Sequence, residues 1–173
     1  LKARDTLAMI ATNAAFHVDA SERSTLTFGT GGTVTEWRGK NGNNAAAVAA
    51  GLTAPVYLAD ALNGLPVVDF GVFGSAGSSL AWTTPITNIL SVFMVVGTQA
   101  KGGFVLGSYD TGDFVNIYDF HRGALGAVAG DLVADPLANS NACGGFRGAA
   151  LYLDGQKLAS TVDGFSGNYQ LLE

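Results

Sequence analysis

The sequence is short of charge. Charged residues make up 13% of its 173 residues, about half the usual share of roughly 25%. The nine Lys and Arg are scattered, and the net charge is −5. A nucleic-acid partner demands a basic face, so that class is excluded, and an anionic membrane surface finds nothing to attract it. Long apolar runs are missing too. The longest, Ile89-Leu90-Ser91-Val92-Phe93-Met94-Val95-Val96, falls far below the roughly 20 residues of a membrane-spanning helix, so membrane insertion is not expected. It reads as a buried central strand.

Cysteine occurs once, as Cys143, which rules out an intrachain disulfide. It reads as a small buried hydrophobe, with an exposed thiol or an intermolecular bridge as alternatives. Histidine occurs twice, at His17 and His121, and two His with one Cys show no zinc-ligand spacing. Glutamate stands only at positions 22, 36 and 173. The nucleophile turn Gly-x-Ser-x-Gly is absent, and the glycine pairs precede no helix that could cradle a phosphate. The sequence carries no catalytic device and is read as a non-enzyme.

What is there in quantity is glycine, 24 residues, and apolar side chains, 48%. Glycine supplies turns, while Val, Thr and aromatics suit pleated surfaces. The length suits one domain with its own core. Residues 1–13 read as a linker or N-terminal extension, with two turns of helix or a leading strand as alternatives, and 14–173 as the domain. Both ends read as the boundaries of an excised piece.

Strand signals run through the domain. Thr25-Leu26-Thr27-Phe28 alternates and breaks at Gly29-Thr30-Gly31-Gly32; Thr33-Val34-Thr35-Glu36-Trp37 alternates again. Ala45 to Ala50 suits a strand between two glycine turns. Asn63-Gly64 and Asp154-Gly155 each sit between apolar stretches and predict hairpins. Trp37 and Trp82 are expected in the core. About a dozen short strands at roughly 8–12-residue spacing predict an all-β sandwich or barrel.

Five motifs, in order, carry a family resemblance. They are Phe16-His17-Val18-Asp19-Ala20-Ser21, then Val34 to Ala45 around Trp37, and then Pro55-Val56-Tyr57 through Leu62-Asn63-Gly64-Leu65-Pro66-Val67-Val68-Asp69-Phe70. The strand Leu90 to Val96 and Leu151-Tyr152-Leu153-Asp154-Gly155 complete the set. Together they resemble the bacterial concanavalin A-like lectin/glucanase (LamG-like) domains over residues 14–170. The resemblance implies a jelly-roll sandwich of two antiparallel sheets, in a module of a bacterial secreted or cell-surface protein. Phe16-His17 departs from the tryptophan usual near this point. After Asn168-Tyr169-Gln170-Leu171 the family has a further strand. Without it an open edge is expected, and with it a dimer through that edge, a disordered N-terminus or a non-standard closure.

Glucanases of this fold place carboxylates in a Glu-x-Asp-x-x-Glu pattern, and none is present. The resemblance therefore implies a non-catalytic carbohydrate-binding or adhesion module for a polysaccharide or a glycoprotein glycan. The alternative is a structural, protein–protein module that self-associates through an open sheet edge, a homodimer. Sugars want aromatic faces with planar polar groups. The densest such cluster holds Tyr109, Asn116, Tyr118, His121 and Arg122. Alternation places Asn116 and Tyr118 on one face and the apolar Val115 and Ile117 on the other, so the former are expected to face the ligand. Related domains hold calcium in rim loops. Asp110 and Asp113 offer oxygens for it, although Asp also favours turns in its own right.

Overall fold

Antiparallel β-structure accounts for the elements of the computed structural model, which describes residues 13–71, 78–86, 91–97, 104–106, 120–121, 152–153, 155–157 and 170–172. Among these are twelve strands and two three-residue 3-10 turns. None of the described helices is long and apolar enough to cross a membrane. The chain divides into two compact units, Leu1–Ile89 and Leu90–Glu173.

In the first unit, strands β1 (Leu26–Phe28), β2 (Val34–Arg38), β3 (Ala45–Val48) and β6 (Leu80–Trp82) form a four-stranded sheet in the order β1-β2-β3-β6. Every pairing is antiparallel. Directly opposed residues share a face, so the register defines two rows. Leu26, Trp37, Ala46 and Trp82 pair in succession across all four strands. Leu26 and Ala46 are buried, and both tryptophans are half-buried. The Phe16 ring meets Trp82 edge-on, with centroids 6.1 Å apart. The adjacent row is Thr27, Glu36, Ala47 and Ala81. It falls on the opposite face because successive side chains alternate, and Thr27 and Ala81 are exposed.

The glycine break expected after Phe28 is a 3-10 turn, Thr30–Gly32, with Gly31 at φ 70° and Gly32 at φ 78°. Residues with a Cβ rarely adopt such angles. Residues 45–48 form a strand although alanine favours helix, because they are fixed between the backbones of β2 and β6.

Strands β4 (Val56–Leu62) and β5 (Leu65–Asp69) form a two-stranded hairpin. Asn63 at φ 50° and Gly64 at φ 79° close it between Leu62 and Leu65, which is the type I′ geometry that Asn-Gly encodes. The register slips between Leu58 and Leu62. The hairpin joins the first sheet where the Val34 N–H donates to Pro55 O at 2.7 Å and Thr33 bridges to Val56. Val34 and Pro55 are fully buried at this junction. Val56, Leu58 and Leu65 are 39%, 40% and 56% exposed.

In the second unit, strands β7 (Met94–Val96), β10 (Tyr152–Leu153), β11 (Gln156–Lys157) and β12 (Gln170–Leu172) form an antiparallel sheet ordered β11-β10-β12-β7. Strands β8 (Phe104–Leu106) and β9 (Phe120–His121) form a separate pair. The hairpin predicted around Asp154-Gly155 is present as β10–β11, with Gly155 at φ 75°.

The last strand, β12, is flanked by β10 and β7 and lies inside its sheet. One expectation needs correction. The apolar run at Leu90 to Gly97 was expected to be a buried central strand. Among its described residues, 91–97, the strand is Met94–Val96, its partner among the described residues is β12, and Phe93 and Val95 are 54% and 64% exposed. Continuous apolar sequence fits a strand covered on both faces, but here alternate residues face outward.

Candidate functional site

The motif Asp19-Ala20-Ser21 builds a tight turn ahead of the first strand. Asp19 Oδ1 accepts from the Ser21 backbone N–H at 2.9 Å and from its hydroxyl at 2.7 Å. The Glu22 N–H donates to Asp19 O at 3.1 Å, starting the 3-10 turn Arg23–Thr25. Lys40 Nζ lies 3.5 Å from Asp19 Oδ2 and 3.6 Å from Glu22 Oε1, and the Lys40 N–H donates to His17 O at 2.7 Å. The turn is thereby tied to the loop after β2. Partial burial pushes the Asp19 carboxyl up, but the two Ser21 hydrogen bonds and the Lys40 charge outweigh it, and the group sits below its ordinary value. Asp19 and Glu22 thus share one lysine, an arrangement that anchors a loop rather than one poised to move protons.

The same turn projects Arg23 over two rings. Its Cζ lies 4.5 Å from the Phe28 centroid and 4.9 Å from the Tyr57 centroid. The rings meet edge-on, 5.4 Å apart at 85°. Phe28 ends β1 and Tyr57 lies in β4, so the cluster forms only where the sheet and the hairpin meet. A cation over an aromatic face at an exposed position gains about 0.5–1 kcal/mol, which limits the rotamers open to Arg23. Its guanidinium N–H groups take part in none of the described hydrogen bonds, and the residue is exposed. The result is a planar donor fork on an aromatic base, suited to paired oxygens such as a carboxylate or neighbouring hydroxyls.

Elsewhere in the unit the polar side chains serve the backbone. Asn44 Oδ1 accepts from the Ala45 and Thr84 N–H groups and from the Thr83 hydroxyl. Its Nδ2 donates to Thr84 O at 2.8 Å, holding the start of β3 to the end of β6. Trp37 Nε1 is buried and meets no acceptor among the described residues. No three His, Cys, Asp or Glu among the described residues gather as a metal-ligand set.

Of the residues expected from sequence to bind a ligand, His121 lies in β9 with its backbone opposite Phe104. Tyr109, Asn116, Tyr118 and Arg122, and the proposed calcium ligands Asp110 and Asp113, lie outside the described residues. Sequence reasoning missed the Arg23, Phe28 and Tyr57 cluster. Tyr57 is distant in sequence and reaches the other two only through pairing, so no local pattern signals it. Comparison with protein-family models, with curated proteins and with solved structures returns no match for this chain.

Proposed function

We propose that the chain is a non-catalytic binding module whose ligand is a glycan, belonging to a secreted or cell-surface bacterial protein. The observation that carries this reading is the exposed Arg23 guanidinium, held over Phe28 and Tyr57 with its N–H groups unengaged among the described hydrogen bonds. A fork of this kind matches the paired oxygens of a sugar, with ring edges beside it for the apolar face. The five ordered sequence motifs and the antiparallel sheets are consistent with a concanavalin A-like jelly roll. On this reading Tyr109, Asn116, Tyr118, His121 and Arg122 form a second contact region, and Asp110 and Asp113 hold calcium in a rim loop.

A glycan array probed with the whole chain, with and without a calcium chelator, tests this reading. Binding to a polysaccharide class that is lost in Arg23→Ala supports it. Silence across the array at high protein concentration overturns it. Binding unchanged in Arg23→Ala but lost in Tyr118→Ala moves the site to the second region.

One observation favours a second reading, a structural module that pairs with a second copy of itself. The β4–β5 sheet has two strands, and the outer side of β5 has no partner strand among the described residues. Val56 and Leu58 share one face by alternation, as do Leu65 and Val67, and Leu58 stands opposite Val67. The exposed apolar side chains and the free edge together suit strand addition. Light scattering over a concentration series separates the two readings, because a strict monomer rejects this one.

A further inference from the structure

We propose that the Asn63–Gly64 turn is a site of spontaneous self-modification, where the asparagine amide is lost through attack by the chain's own backbone, and that Asn41–Gly42 is protected from the same reaction. These are the two Asn-Gly pairs in the sequence. In the reaction, the Gly64 backbone nitrogen attacks Cγ of Asn63. A nitrogen–carbon bond closes a cyclic imide, the Cγ–Nδ2 bond breaks, and ammonia leaves with the glycine's proton. Water then opens the imide at either carbonyl. One opening restores the ordinary backbone with aspartate at position 63. The other routes the backbone through the side chain as isoaspartate. No oxidant or reductant is needed, and water is the only co-reactant. Glycine is the favourable following residue because no Cβ obstructs the approach of its nitrogen.

The two pairs differ in what engages the reacting atoms. At Asn41, Nδ2 donates to Ala14 O at 2.5 Å and Oδ1 accepts from the Asn43 N–H at 3.2 Å. The Gly42 N–H, which carries the nucleophile, donates to Gly39 O at 2.9 Å, and Asn41 is half-buried. Electrophile and nucleophile are both held. At Asn63 and Gly64 both residues are exposed, and neither the Asn63 side chain nor the Gly64 N–H takes part in any described hydrogen bond.

The closed turn, with positive φ at both residues, does not itself present the nitrogen to Cγ, so the tip must open first. Beyond the register slip that follows Leu58, the single pair Leu62 and Leu65 closes the hairpin, and such ends open at little free-energy cost. The two products have opposite effects. Aspartate tolerates the left-handed backbone and keeps the turn. Isoaspartate lengthens the backbone by one atom and undoes the two-residue closure. Either product adds a negative charge close to Asp60, whose Oδ1 lies 3.9 Å from the position a Cβ on Gly64 would occupy.

The test incubates the whole chain in mildly alkaline buffer and follows it by ion exchange and by mass spectrometry of proteolytic peptides, with isoaspartate detected separately. The expected result is a species one charge more negative than −5, with the early product at residue 63 as aspartate and isoaspartate and none at residue 41. Asn63→Gly keeps a turn tolerant of positive φ and removes the amide. It is expected to lose the early product entirely while retaining the circular dichroism of the parent. Early product at residue 41 overturns the proposal. So does an unmodified residue 63 at the time a free peptide spanning residues 60–67 has fully converted.

Discussion

Single residues carry the turn before the first strand. Asp19 is held in its charged form by Ser21 and Lys40 and sits below its ordinary value. Its contribution to stability is therefore present above the unfolded value of about 3.9 and is lost as the pH falls through the lower folded value. Thermal midpoints measured against pH are expected to show Asp19→Asn less stable than the parent at neutral pH, with the two curves converging in strong acid. Among the described residues, Val34 is the position most sensitive to lost volume. It is fully buried against the junction with Pro55, so Val34→Ala is expected to cost about 2 kcal/mol in urea unfolding, from two lost methyl groups and the space they leave. The Asp-Ala-Ser motif is conspicuous in the sequence, but its role as a hydrogen-bonded loop anchor depends on Lys40, and nothing local connects residue 19 to residue 40.

At the scale of elements, turns were legible and neighbours were not. Asn63-Gly64 and Asp154-Gly155 predict hairpins because a positive φ is encoded by residue type, and both hairpins are present. Gly64→Ala places a Cβ at φ 79° and is expected to cost roughly 1–2 kcal/mol, with amide exchange accelerating first in β4 and β5. The strand at Ala45–Val48 was legible from its length between glycine turns. The extent and exposure of β7 were not, because an apolar run states its preference for burial but not which elements lie beside it. The Leu26, Trp37, Ala46 and Trp82 row was equally hidden. It depends on the register shift between Thr27 and Phe28, and a one-residue change in register would send each side chain to the other face.

At the scale of the whole molecule, the exposed large apolar side chains among the described residues lie on or next to the β4–β5 hairpin and β7. If the chain pairs with itself through the hairpin, Leu65→Lys is expected to shift light-scattering masses toward the monomer. Arg23→Ala is expected to leave that mass unchanged. The row of core residues also has a spectroscopic consequence. The chain has two tryptophans, and both stand in that row, in the unit spanning Leu1–Ile89. Intrinsic tryptophan emission therefore reports from the four-stranded sheet of that unit, whereas far-ultraviolet dichroism sums over every strand. Denaturation curves recorded by the two signals coincide if the units unfold together. A gap between them measures, without any label, how far one half of the chain outlasts the other.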